Sequence, residues 1–197
     1  MVNWNIETLM GSALAVVLAG ALPAGEMMVE SFDRGEVALE WQIVNDSVMG
    51  GISRSGLERV DDEVVRFRGQ LRLENNGGFA SVRASGRFPD LTGVKAMMIR
   101  VKGDGRTYQL RLRTSEGWRT PDYSAEFATE VGKWQTHVLP LQDFVAGWRG
   151  RAIHNAPPIE PTEILSVGIL LGDKNPGAFS IEIDWIKALN GREAGGI

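Results

Sequence analysis

Along residues 63–74 the chain alternates: Val65, Phe67, Gly69, Leu71 and Leu73 fall between Arg66, Arg68, Gln70, Arg72 and Glu74. A period of two over that length predicts a β-strand with one face in the core and one in water. Tyr108, Leu110 and Leu112 alternate in the same way with Gln109, Arg111 and Arg113. So do Phe179, Ile181, Ile183 and Trp185 with Ser180, Glu182 and Asp184. The predicted core therefore includes Phe67, Leu71, Leu73, Leu110, Leu112, Ile181, Ile183 and Trp185. Residues 96–99 and 164–171 are continuous apolar runs, as expected of strands buried on both faces. Turn-forming residues recur at short intervals, at 89–90, 103–105, 116–117, 131–133 and 172–177. Many short strands so punctuated predict an all-β fold, an antiparallel β-sandwich or jelly roll. Short helical turns fit residues 141–145 and 161–164, and the Pro-rich stretch 147–161 reads as an ordered surface loop.

Two glycine-centred runs stand between the strands: WQIVNDSVMGGISRS at 41–55 and NNGGFASVR at 75–83. Each holds a Gly pair, Gly50-Gly51 and Gly77-Gly78, beside Asn or Asp. Glycine permits positive φ and close backbone approach. Asn45, Asp46, Asn75 and Asn76 can close turns through their own side chains. One reading is a pair of tight β connections. The other is that the runs meet and build one ordered surface, with Trp41, Asn45, Asp46, Met49, Asn75, Asn76, Phe79 and Arg83 as candidate binding residues. In that reading Asn45, Asp46, Asn76 and Arg83 supply hydrogen bonds, while Met49 and Phe79 supply apolar contact.

A length of 197 residues is enough for one domain with a real core, and 43% hydrophobic with 23% charged residues is ordinary for a soluble protein. The net charge of −4 argues against a nucleic-acid partner. With no cysteine, disulfides, thiolate catalysis and Cys-based zinc sites are excluded. Residues 1–26 differ from the rest, for LMGSALAVVLAGAL at 9–22 is apolar and then meets Pro23. That run is too short to span a bilayer but has the length of a signal-peptide core. Its N-terminal flank carries Glu7 and neither Lys nor Arg. The expectation is a signal peptide or N-terminal apolar segment at 1–26, a sandwich domain at 27–190, a tail at 191–197, and an exported or periplasmic rather than cytoplasmic protein.

Catalytic chemistry is hard to find. His137 and His154 are the only histidines, and they lack ligand or triad spacing. The Gly-rich runs lack the Lys-Ser/Thr ending of a phosphate-binding loop. Glu182 and Asp184, two apart on one strand face, could be paired acids or calcium ligands, but a solvated strand face is the better reading. No catalytic residue, metal or cofactor is assigned. Arg66, Arg68, Arg72, Arg111 and Arg113 all point away from the core if the alternation holds, and would form one guanidinium-rich face if their strands share a sheet. Such a face could hold a protein partner or an acidic glycan.

The order W-x-x-V-N-D-S-V-M-G-G-I-S-x-S, then E-N-N-G-G-F-A-S-V-R, then V-K-G-D-G-R-T-Y resembles the complex I intermediate-associated protein family, from about residue 32 to 188. The resemblance implies a galactose-binding-like jelly-roll sandwich. It also implies a non-catalytic module that binds protein partners, such as respiratory complex subunits, during complex I assembly. It carries over no active site. The alternative is an exported carbohydrate-binding module with Trp118, Tyr123 and Trp148 as its aromatic platform.

Overall fold

The structure is a computed structural model that describes residues 25–33, 39–115, 121–148 and 151–191. In chain order the first strands are β1 (Glu26–Glu30), β2 (Glu40–Ile43), β3 (Arg54–Arg59), β4 (Val65–Leu71), β5 (Ala80–Ser85), β6 (Val94–Lys102) and β7 (Thr107–Arg113). They are followed by β8 (Asp122–Ala128), β9 (Trp134–Pro140), β10 (Val145–Trp148), β11 (Arg151–Ala152), β12 (Ser166–Leu171) and β13 (Gly177–Asn190). A six-stranded sheet runs β3-β4-β13-β6-β9, with β1 also paired to β13. A seven-stranded sheet runs β11-β10-β8-β7-β12-β5-β2. All these strand pairings are antiparallel. The protein is the antiparallel β-sandwich that its alternation predicts.

The inward faces of both sheets supply one core. Phe67, Leu71, Leu110, Leu112, Ile181 and Ile183 are fully buried, as the alternation requires, and Tyr108, Met97, Ile99, Ile169 and Leu171 join them. Each large side chain so buried contributes about 1.5–3 kcal/mol. β12 is buried along its whole length because it lies between β7 and β5. Short 3₁₀ turns form at Leu141–Asp143 and Pro161–Glu163, inside the stretches expected to turn.

Two expected core residues are not in the core. β4 ends at Leu71, so Leu73 lies beyond the pleat and is exposed. On β13 the pairing with β6 slips between Ile183 and Trp185. Such a bulge inserts one residue and reverses the faces that follow. Ile186 therefore becomes fully buried, and Trp185 turns outward beneath Lys187, whose Nζ sits 4.3 Å from the ring centroid. The expected signal peptide at 1–26 falls outside the described residues except for Gly25 and Glu26, as does the expected tail beyond Gly191.

Candidate functional site

A 3₁₀ turn, Asp46–Met49, lies within the first glycine run, and another, Glu74–Asn76, leads into the second. The runs meet on one side chain. Asp46 is fully buried. Its Oδ1 accepts from the Ser53 backbone N–H at 3.0 Å. Its Oδ2 accepts from Ser53 Oγ at 2.6 Å and from the N–H groups of Gly78 and Phe79 at 2.7 and 3.4 Å. The Asp46 N–H in turn donates to the Phe79 carbonyl at 3.2 Å. Ser53 Oγ also accepts from the Arg72 N–H at 3.0 Å, which ties in the end of β4. A carboxylate removed from water is costly unless donors surround it, and here the two runs supply them through Ser53, Gly78 and Phe79.

This geometry explains why each run carries two glycines. A Cβ on Gly51 would lie 2.3 Å from Asp46 Cγ, and one on Gly77 would lie 2.6 Å from Asp46 Oδ2. One glycine of each pair makes room for the carboxylate. The others, Gly50 at φ +91° and Gly78 at φ +127°, provide backbone conformations that side chains disfavour. Asn75 and Asn76 both sit at φ 58°, a region asparagine tolerates better than most residues.

The remaining candidates divide between framework and surface. Asn45 is buried; its Oδ1 accepts from Ser55 Oγ at 2.7 Å and from the Ser81 N–H at 3.3 Å. Trp41 belongs to a second buried carboxylate. Glu30 accepts from the N–H groups of Phe32 and Leu39 and from Trp41 Nε1, each at 3.0 Å. Asn75 and Asn76 are exposed, and Phe79 is half-buried. Met49 is 53% exposed beside Val48 at 70%. Arg83 lies on β5 and faces Asp122, away from the Asp46 network. Sequence reasoning missed Ser53, Glu30 and Asp122, because no local pattern distinguishes them from ordinary strand-end polar residues.

The single arginine face does not form, because its members lie on opposite sheets. Arg66, Arg68 and Arg72 lie on or just past β4, whereas Arg111 and Arg113 lie on β7. On the six-stranded sheet Arg66 pairs with Glu58 at 3.2 Å and with Glu182 at 2.7 Å, while Lys102 reaches Glu182 at 2.5 Å. Burial opposes ionisation of Glu182, yet the hydrogen bonds from Lys102 and Arg66 hold its carboxyl below the usual range. Asp184 pairs with Arg100. Both acids are thus engaged by cations on their own sheet. His137 packs against Phe127 with ring centroids 5.1 Å apart and the rings tilted by 40°, and His154 is exposed in the loop after β11. Among the described residues no cluster of three His, Asp or Glu side chains could hold a metal ion. Of the proposed aromatic platform, Tyr123 is buried with its hydroxyl donating to the Pro157 carbonyl at 2.9 Å, Trp118 lies outside the described residues, and Trp148 is 40% exposed.

Curated relatives share this architecture of sequence at modest identity. A Neurospora crassa protein named complex I intermediate-associated protein 30, mitochondrial, is 21% identical over 88% of this chain and 77% of its own length. A Caenorhabditis briggsae protein named as its probable counterpart is 28% identical, over 87% of this chain and 56% of its own. The Mus musculus protein is 31% identical over 49% of this chain, which spans only 31% of the mouse protein. All three names place those proteins in the mitochondrion, which overturns the expectation of an exported or periplasmic protein. Among solved structures, the family 11 carbohydrate-binding module of a Clostridium thermocellum cellulase superposes with a TM-score of 0.65 at 14% identity, covering 89% of this chain and all of that one. A region of an agarase gives 0.58 at 10% identity, covering 85% of this chain and 25% of that one. At such identities the likeness is one of fold alone. The model of the complex I intermediate-associated protein 30 family matches residues 30–183, the glycine runs and the sandwich around them included, and the chain belongs to that family.

Proposed function

We propose that the chain is a non-catalytic module that binds protein partners during assembly of respiratory complex I. The family match over residues 30–183, together with the names of the relatives, carries this reading. The docking edge assigned to it is the turn that Asp46 anchors. Ile43, Val48, Met49 and Ile52 are 41, 70, 53 and 43% exposed within ten residues of chain. Apolar side chains on a turn already ordered by buried hydrogen bonds lose little further freedom when a partner covers them. In this reading Asn45 and Asp46 build the edge, and Met49 with Val48 and Ile52 touches the partner. Asn75, Asn76 and Phe79 flank it. Trp41 and Arg83 serve other parts of the fold.

The test is genetic complementation with a biochemical readout. Cells lacking the protein should accumulate incomplete complex I, and wild-type protein should restore the mature complex on native gels. A Val48→Asp/Met49→Asp variant should keep the wild-type melting temperature within a degree or two, since neither side chain is buried, and fail to restore it. Undiminished complex I in the deletion strain would overturn the function. Full rescue by the folded double variant would overturn the edge.

A further inference from the structure

The outward face of the seven-stranded sheet carries a second charged feature, unconnected with the Asp46 turn. One row of residues crosses it in register: Gln42 on β2, Arg83 on β5, Gly168 on β12, Arg111 on β7 and Ser124 on β8. Adjacent strands lie about 4.8 Å apart, so the arginines flank the glycine with roughly 10 Å between their backbones. Gly168 contributes no side chain there, and backbone crowds it, since a Cβ would lie 2.8 Å from the Val82 carbonyl oxygen. The row is a slot with a glycine floor and two guanidinium walls.

Its cations are poorly neutralised. Arg83 and Arg111 both turn to one oxygen, Asp122 Oδ2, at 3.7 and 3.1 Å. The first distance exceeds a hydrogen bond. Arg113 engages the other oxygen, Oδ1, at 2.8 Å, so the charge of Asp122 is already shared. Arg111 Nε is buried with no hydrogen-bond partner among the described residues. The side chains of Arg83, Arg111 and Asp122 are 32, 23 and 17% exposed, so water does little of the solvating. Burial, and for Arg83 the repulsion of Arg113 and Arg111, pull both guanidinium groups down from their ordinary range, although guanidinium stays protonated in proteins. The contrast with the opposite sheet lies in the supply of carboxylates, because there Arg66, Arg68 and Lys102 share two, Glu58 and Glu182, whereas Asp122 alone serves Arg83, Arg111 and Arg113.

We propose that Arg83 and Arg111, above Gly168, form a binding site for an oxyanion group, a carboxylate or phosphate borne by a ligand that lies on the seven-stranded sheet. Guanidinium groups match such planar or tetrahedral oxyanions through paired N–H donors, and Gln42 and Ser124 extend the row with further donors. Asp122 holds the arginines in place and competes with the ligand.

The probes are inorganic phosphate and succinate, each titrated into the protein at constant ionic strength held with chloride, with the Nε–H resonances of Arg83 and Arg111 followed by NMR. Saturable shifts at both arginines are expected. Binding should weaken about tenfold in Arg83→Gln and in Arg111→Gln, and tighten severalfold in Asp122→Asn, where the internal competitor is lost. A purely structural Arg–Asp cluster predicts no such gain. Arg68→Gln, on the other sheet, and the Val48→Asp/Met49→Asp variant should titrate like wild type, which separates this site from the docking edge. A preference for phosphate or for succinate would identify the group, and either upholds the site. Unsaturable drift, equal weakening by Arg68→Gln, or unchanged affinity in Asp122→Asn would overturn it.

Discussion

Asp46 shows how one residue can set the composition of two distant segments. Its carboxylate takes donors from Ser53 and from Gly78, 32 positions away, and Gly51 and Gly77 lack side chains where it sits. Asp46→Ala should cost about 3 kcal/mol, because the buried N–H of Ser53 and the half-buried N–H of Gly78 would be left without an acceptor. Gly51→Ala should cost about 1–3 kcal/mol by overpacking, and part of that should vanish in an Asp46→Ala background, which removes the carboxylate but leaves the Asp46 Cβ, 2.8 Å from the same point. Urea unfolding of the two single variants and the double variant measures the coupling. Additive costs would show that Gly51 is required for some other reason. The sequence displayed every participant in this site, yet not their relation. Asn, Asp and Gly-Gly signal a turn wherever they occur. That the two turns share one carboxylate depends on the β2–β5 and β3–β4 registers, which no local pattern encodes.

At the scale of the element, alternation is informative until a strand bulges. Phe67, Leu71, Leu110 and Ile181 were legible as core because their strands are regular, and Trp185 was not because β13 inserts a residue just before it. Ile186→Ala should therefore cost about 2–5 kcal/mol. Trp185→Ala should cost far less despite removing the larger side chain, a ranking that chemical denaturation reads directly. Leu71→Asp should prevent cooperative folding, whereas Arg72→Ser, at an exposed position, should shift stability by less than about 0.5 kcal/mol. On β9, burial lowers the affinity of His137 for its proton from the ordinary value of 6.5, and its Nε2 has no hydrogen-bond partner among the described residues. The unfolded chain then binds more protons than the folded one as pH falls below about 6.5. The contribution of neutral His137 is complete above that pH and is lost on acidification towards the lower folded value. His137→Phe should flatten the dependence of melting temperature on pH between about 7 and 5.5, a window in which ordinary carboxylates are already ionised. An unchanged slope would show that His137 titrates alike in both states.

Taken whole, the molecule presents two sheet faces of different electrical character. Alternation located the arginines on outward positions, but assigning strands to sheets required the strand order, which is long-range information. The six-stranded sheet neutralises its own charges, and the seven-stranded one leaves Arg83 and Arg111 sharing Asp122. The order of strands has a further consequence, in time rather than in space. β13 pairs with β1, β4 and β6, and so forms the spine of the six-stranded sheet. It is also the last described strand that a ribosome or a translocation pore releases. Until it arrives, β1 lacks its partner and β4 and β6 have no strand between them, with Phe67, Met97 and Ile99 uncovered. The β3–β4 and β6–β9 pairs can form as the chain emerges, but nothing joins them until β13 is released. Closure of the sheet must wait for that late step, whose many long-range pairings make it slow. During that interval the nascent protein exposes the open edges of β4 and β6, the hazard that holding chaperones exist to manage.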